Sequence, residues 1–180
     1  MTESGSADRN RVGETAVLVA IEEVEPLIDQ WRQRYDRAAA AGVPPHVTLL
    51  YPFLNIDRID ADILGTLRAL IGGHRAFDIR FEQCARFPEL LYLAPTPEQP
   101  FRDLTDALVA RWPEVPPYGG QYDDLIPHLT VIQDQQPDVL DAVEVAIAGQ
   151  LPVTARVSSA QLLVCDGSRW TRKADFPLLG

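Results

Sequence analysis

The sequence predicts an α+β protein made of two similar halves, and two observations lead to this class. Runs with strand periodicity alternate with runs of helical periodicity, in an order that is written twice along the chain. Each copy also contains the same short motif, PHVTLL at 45–50 and PHLTVI at 127–132. Helices in such a pattern pack on one face of a sheet and leave the other face free. We therefore expect a bilobal, duplicated fold in which two antiparallel-type sheets face each other across a central cleft, with helices on the outside.

The first copy spans about residues 15–84. It opens with TAVLVAI, an apolar run of strand length, and apolar residues then recur at helical spacing over 24–40. The strand containing PHVTLL follows. Apolar positions over 59–71, closed by a Gly-Gly pair, predict a second helix. Alternating apolar and charged residues over 77–82 predict a half-exposed strand.

The second copy spans about residues 89–176 and repeats that order. Its elements are a strand at 89–94, a helix at 101–112, the PHLTVI strand, a helix at 139–147, a strand at 153–157, and a closing hairpin of 161–165 with 170–176. The main difference is the loop at 113–126, PEVPPYGGQYDDLI, which is far longer than its counterpart at 42–45. We interpret the repeat as a duplication within one domain over 15–180.

The remaining composition narrows the class of protein. Residues 1–14 are polar, without the apolar segment of a secretory signal, and predict a disordered arm. No apolar run approaches the roughly 18–20 residues of a membrane span. Two separated cysteines, Cys84 and Cys165, are typical of buried, reduced thiols rather than of a disulfide framework or zinc site. We expect a cytoplasmic monomer that does not bind membranes.

The charge limits the partners that this chain can take. The formal net charge is −10, and affinity for long nucleic acid depends largely on neutralising phosphates. An acidic chain therefore does not suit long duplex nucleic acid. If it handles nucleotides, we expect small ones or the ends of chains.

The paired motifs carry the chemistry. Side chains two apart on a strand lie on the same face, so His46 with Thr48, and His128 with Thr130, form two matched polar pairs. Two of the three histidines share this context, which makes a chance match improbable. Two such pairs converging on one phosphate would supply a base, an acid and two hydroxyl donors for its oxygens. This chemistry needs no metal or other cofactor.

The doubled motif, HVTL and HLTV inside two similar halves, resembles the 2H phosphoesterase superfamily, in its 2'-5' RNA ligase-like branch. The resemblance covers nearly the whole chain, from about residue 15 to 176. It implies a bilobal fold with the motifs facing across a cleft and metal-independent opening of 2',3'-cyclic phosphates or related cyclic nucleotide phosphodiesters. Carried over residue by residue, it assigns the catalytic roles to His46, Thr48, His128 and Thr130.

The patterns that indicate substrate-binding residues are less specific than the doubled motif. Members of the family that act on RNA often place an aromatic residue five after the first motif histidine and an arginine five after the second. Tyr51 fits, whereas Gln133 stands at the second position, which shifts the expected substrate towards a small cyclic phosphodiester. The other candidates are two tyrosines of the long loop, a cation after the third strand and an aromatic residue of the last strand: Tyr118, Tyr122, Arg86 and Trp170.

The paired motifs are compatible with three functions. The first is a phosphodiesterase that acts on a cyclic phosphate of a small nucleotide or an RNA end. The others are a non-catalytic sensor that binds phosphate or nucleotide through the same donors, and a 2'-5' RNA ligase that runs the reverse reaction. Asp124, four residues before His128, is either an orienting carboxylate for that ring or a plain loop residue.

Overall fold

A computed structural model describes residues 10–180 of the chain. Its strands are β1 (Thr15–Ala20), β2 (His46–Leu50), β3 (Phe77–Phe87), β4 (Leu90–Thr96), β5 (Leu129–Gln133), β6 (Val153–Val157), β7 (Ser159–Cys165) and β8 (Trp170–Pro177). Its helices are α1 (Glu25–Tyr35), α2 (Arg37–Ala40), α3 (Ala61–Gly72), α4 (Gln99–Arg111) and α5 (Pro137–Ala148), with short 3-10 turns at Glu22–Val24, Ile56–Arg58 and Pro117–Gly120.

The strands form one antiparallel sheet in the order β6-β3-β4-β5-β2-β1-β7-β8. Its two four-stranded halves meet between β5 and β2, where Val47 opposite Leu129 is the registered pair. The α+β class predicted from the sequence is confirmed, and the two sheets expected from it are the two halves of this single sheet.

Each half of the sheet takes strands from both sequence copies. β3 belongs to the first copy but lies between β4 and β6 of the second, while β7 and β8 return to β1 of the first. Neither copy therefore completes a sheet half by itself.

The long helices α1, α3, α4 and α5 pack on one face of the sheet, around the main core. Val17, Val47 and Leu129 of the central strands are fully buried there. The helical stripes predicted by periodicity supply the other side of this core, for example Leu104 and Leu108 of α4. Burying such aliphatic side chains stabilises the fold by about 1.5–3 kcal/mol each. The opposite face of the sheet is left for the site.

A smaller apolar cluster covers part of that opposite face. Leu18 of β1, Leu163 of β7 and Trp170 of β8 pack there with Ala41 and Val43. The backbone N–H of Trp170 donates to the carbonyl of Ala41 at 2.8 Å, so the segment 38–43 crosses the site face of this half.

The single helix predicted over 24–40 is interrupted at Asp36. This residue has extended backbone angles (φ −124°, ψ 111°), and its carboxylate accepts from the N–H of Ala38 at 3.0 Å, which caps α2. Its other oxygen binds Arg32. A carboxylate that caps a new helix competes with continuation of the old one, and apolar periodicity does not register that competition.

The disordered arm predicted for residues 1–14 is only partly covered by the structure, which describes the chain from residue 10 onward. Residues 1–9 lie outside the described residues. Gly13 donates to the carbonyl of Cys165 at 2.8 Å, and Cys165 donates back to Glu14 at 2.9 Å. The chain is therefore tied to the fold before β1 begins.

Candidate active site

The two His-Thr motifs lie side by side on the face of the sheet opposite the helices. The pairing of Val47 with Leu129 is antiparallel, so counting from it sets His46 across from Thr130 and Thr48 across from His128. Val47 and Leu129 point into the main core, and the four polar side chains therefore point the other way. The two histidines occupy diagonal positions, where separations are roughly 7–8 Å.

Both imidazoles are held by the same backbone contact. Nδ1 of His46 lies 2.8 Å from the carbonyl oxygen of Pro44, and Nδ1 of His128 lies 2.7 Å from that of Ile126. A carbonyl only accepts, so each ring donates from Nδ1. In the neutral tautomer that this contact selects, Nε2 carries a lone pair and can accept a proton.

The environment keeps both rings towards their neutral form. Burial lowers the pKa of His46 to about 4, against the hydrogen bond to Pro44, with the cation of Arg32 lowering it further and Asp36 opposing. Burial also lowers the pKa of His128, against its bond to Ile126. The first ring is therefore the more strongly neutral of the two, since a buried guanidinium adds to the effect of desolvation.

Two aromatic residues enclose His128. Its ring meets those of Phe87 and Tyr92 edge to face, with centroids 5.3 and 5.6 Å away, and these two rings stack on each other at 4.5 Å. Sequence reasoning missed both. The alternating pattern predicts a strand over 77–82, whereas β3 continues to Phe87. Tyr92 stood inside a predicted strand, but nothing local showed that it faces the site.

A pocket of about 240 Å³ adjoins His46 on the same face. It lies between the crossing segment and strands β1, β7 and β8, and it is lined by Ala20, Gly42, Pro44, Gln161, Leu163, Trp170 and Arg172. Ala20 is the registered partner of His46, and the carbonyl of Pro44 binds the His46 ring. Arg172 is the cation among these lining residues, and Asp175 is its ion-pair partner at 3.4 Å. The pocket therefore combines apolar walls with one positive charge.

Four of the predicted substrate-binding residues form an aromatic chain. Tyr51 lies between Tyr118 and Trp170, with ring centroids 6.2 and 6.0 Å away, and Tyr122 extends the chain from Tyr118 at 5.7 Å. Tyr118 donates its backbone N–H to the carbonyl of Tyr51 at 2.6 Å, so the long loop folds back over the end of β2. Trp170 is nearly buried, and its indole donates to Asn10 at 2.6 Å. Tyr122, 61% exposed, is the most accessible member.

The structure places two other predicted residues away from the histidines. Gln133 donates from its amide to Asp36 at 3.0 Å, on the helix face. Arg86 binds Asp141 and Glu144 of α5, also on that face, because it alternates with Phe87 along β3.

The loop acid considered as a partner of His128 is engaged elsewhere. Asp124 binds Arg102 of α4 at 2.8 Å, and this contact lowers the pKa of its carboxyl. The acceptor for the His128 ring is the Ile126 carbonyl instead. A sequence pattern of acid and histidine does not distinguish these partners.

The described residues 10–180 contain neither a metal-ligand cluster nor a membrane-spanning helix. Within that range no group of three or more His, Cys, Asp or Glu side chains is placed to hold a metal ion. No helix in the same range is long and apolar enough to cross a membrane.

Comparison with known proteins identifies the family. The family model described as the 2'-5' RNA ligase superfamily matches residues 20–169. This chain therefore belongs to that superfamily, and the resemblance to the 2H phosphoesterases is confirmed. Membership supports phosphoesterase activity.

Individual relatives agree with this assignment. A protein of Bacillus pumilus (strain SAFR-032) named "Putative phosphoesterase" is 28% identical over 135 residues, covering 71% of this chain and 76% of that protein. Among solved structures, E. coli LigT complexed with 3'-AMP is similar with a TM-score of 0.61 at 16% identity, covering 94% of this chain and all of that one. TT0787 of Thermus thermophilus gives 0.63 at 20% identity, covering 93% and 98%. At these identities the two structures show a shared fold.

Proposed function

We propose that this chain is a phosphodiesterase that opens 2',3'-cyclic phosphates, or related cyclic phosphodiesters, of small nucleotides or RNA ends, without a metal cofactor. The observation that carries the proposal is the diagonal placement of His46 and His128, each held at Nδ1 by a backbone carbonyl. Two rings presenting Nε2 from opposite sides of one site match the needs of in-line displacement at phosphorus.

In the proposed reaction, one histidine accepts a proton from water while the water oxygen bonds to phosphorus. The bond from phosphorus to one ribose oxygen breaks, and the other histidine, protonated at Nε2, gives that oxygen its proton. The product is an open phosphomonoester. Thr48 and Thr130 donate hydroxyl hydrogen bonds to the non-bridging oxygens, which gather charge in the transition state.

We assign His46 as the base and His128 as the acid. Burial and Arg32 lower the pKa of His46 to about 4, which keeps its Nε2 free to accept a proton at neutral pH. The pKa of His128 is also lowered, with no arginine among the causes. The bound phosphodiester is an anion that favours protonated imidazole. Since no arginine opposes protonation of His128, we infer that this ring carries the proton in the complex.

The surroundings suit a small nucleotide. The pocket beside His46 has the size for one nucleobase or sugar, and Arg172 gives it a charge complementary to phosphate. Tyr51, Tyr118 and Tyr122 extend from Trp170 at the wall of this pocket and offer aromatic surface for a base. E. coli LigT binds 3'-AMP on the same fold, which supports a nucleotide-sized ligand for this chain.

The test is hydrolysis of the four 2',3'-cyclic mononucleotides in EDTA. Replacing His46 or His128 with alanine is expected to lower kcat/KM by about 10²–10⁴-fold, since general acid–base catalysis contributes that much. His74→Ala is the matched control, because His74 lies outside both motifs. Turnover unchanged in the two motif variants would overturn the proposal. Tight binding without product would support the sensor, and joining of RNA ends in place of hydrolysis would support ligation.

A further inference from the structure

A buried ion pair lies behind the site, on the helix side of the sheet. Arg32 and Asp36 of the α1 region are only 2% and 4% exposed, and Nη2 of Arg32 lies 3.0 Å from Oδ2 of Asp36. The Nε of Arg32 donates to the same oxygen at 3.1 Å. Taking two charges out of water costs several kcal/mol per ion unless further hydrogen bonds compensate. The further bonds of this pair lead to the two motif strands.

The arginine contacts the backbone that leads into β2. Nη2 of Arg32 also donates to the carbonyl of Val43 at 3.0 Å. The next residue, Pro44, provides the carbonyl that accepts from Nδ1 of His46. The guanidinium therefore fixes the peptide segment on which the orientation of the His46 ring depends.

The aspartate contacts the strand that carries the other histidine. Oδ1 of Asp36 accepts from the amide of Gln133 at 3.0 Å. Gln133 is the last residue of β5, three residues after Thr130. One carboxylate thus joins the segment before His46, through Arg32, to the strand after His128.

The strand ladder itself constrains this region weakly. Between β2 and β5 the registered pair is Val47 with Leu129, whereas neighbouring ladders contain four or more pairs. The side-chain bonds of Arg32, Asp36 and Gln133 add a second connection across this short ladder.

We propose that Arg32, Asp36 and Gln133 form a positioning brace, which holds the two His-Thr strands in register and fixes the Val43–Pro44 backbone that orients the His46 ring. The catalytic consequence of this brace depends on the proposed phosphodiesterase function; its effect on the His46 ring does not. None of the three residues contacts the reacting atoms, so they are positioning residues.

The charges that act on His46 are those of Arg32, Asp36 and His128. Burial is the main cause of the lowered His46 pKa, and the hydrogen bond to Pro44 opposes it. Among the three charges, Arg32 has the largest effect and lowers this pKa, whereas Asp36 raises it. Removing the cation is therefore expected to raise the His46 pKa.

The first experiment follows the three imidazoles by NMR titration, assigned with His46→Ala, His74→Ala and His128→Ala. In Arg32→Met the His46 titration is expected to move to higher pH, and Arg32→Lys is expected to restore it towards that of the unaltered protein. A folded Arg32→Met protein in which His46 titrates as before would overturn the proposal. This readout needs no turnover, so it separates failure of the brace from failure of the proposed function.

The second experiment keeps the ion pair intact. Gln133→Met removes the amide that reaches Asp36 while preserving the length of the side chain, so it tests the brace even if Arg32→Met does not fold. Misplacement by about 1 Å can cost 10²-fold in rate, and we expect kcat to fall roughly 10- to 100-fold with KM nearly unchanged. Gln150→Met is the control, because its amide donates to a backbone carbonyl at the end of α5. Equal, small losses in both variants, with unchanged histidine resonances, would contradict the proposal.

Discussion

His46 and His128 make the same hydrogen bond, from Nδ1 to the carbonyl two residues earlier, at 2.8 and 2.7 Å. The sequence repeat PHVTLL and PHLTVI is therefore also a repeat of ring orientation. The two rings differ in their neighbours, since His46 lies near a buried arginine and His128 is enclosed by aromatic rings. Equal orientation with unequal surroundings suits one base and one acid.

The pH dependence of kcat/KM should reflect both lowered pKa values. A base acts when deprotonated, so activity is expected to fall only as pH drops towards about 4, the pKa of His46. An acid acts when protonated, so activity is expected to decline as pH rises through the pKa of His128. Because burial lowers that pKa, the decline is expected to begin below the ordinary histidine value of about 6.5. Steady-state rates across pH 3.5–9 measure both limbs. An acid limb centred near 6.5 would contradict the assignment of His46 as base.

Stability should also depend on pH through His46. Its pKa in the folded protein is about 4, below its unfolded value, so the unfolded chain binds the proton first as pH falls. The contribution of His46 to the free energy of unfolding is therefore at its full value above about pH 6.5. It decreases as pH falls towards 4, by about 3 kcal/mol at most. Urea unfolding at several pH values should show a smaller loss in His46→Gln than in the unaltered protein. His74→Gln controls for the general effect of acid, and matching slopes in all three proteins would count against the prediction.

Phe87 should change the pKa of His128, the proposed acid, without itself taking part in the reaction. Its ring meets His128 edge to face at 5.3 Å, and removing it opens that imidazole to water. We expect Phe87→Ala to raise the His128 pKa and move the basic limb of kcat/KM to higher pH. Phe77→Ala is the matched control, because Phe77 is a half-buried residue of the same strand that packs against Phe101. A basic limb that moves equally in both variants would mean a general loss of structure.

Arg172 should select substrates with an additional phosphate. It is the cation among the residues that line the pocket beside His46. For a 2',3'-cyclic nucleotide that carries a 5'-phosphate, we expect Arg172→Ala to raise KM about threefold to tenfold, as for one partly exposed charged contact. The nucleotide without that phosphate should be little affected. Lys173→Ala serves as the control, and equal losses on both substrates would assign Arg172 a different role.

Local patterns predicted the elements well where the pattern was long. The alternating and helical periodicities located the strands and the long helices, and the doubled motif selected the residues that β2 and β5 bring together. The incorrect predictions concern element boundaries that no periodic pattern marks. Asp36 ends α1 by capping α2, and β3 extends five residues beyond its predicted end at 82. Neither event leaves a periodic signal.

The family, the order of the elements and the face of each motif strand that carries His and Thr follow from the amino-acid sequence, because these depend on neighbours along the chain. Which strands lie side by side, and hence that Thr48 lies across from His128, depends on the three-dimensional fold. The fold also turns Gln133 towards Asp36, 97 positions away, and brings Phe87 to His128. Such contacts follow from burying the main core on one face of the sheet, a requirement that no short stretch of sequence contains.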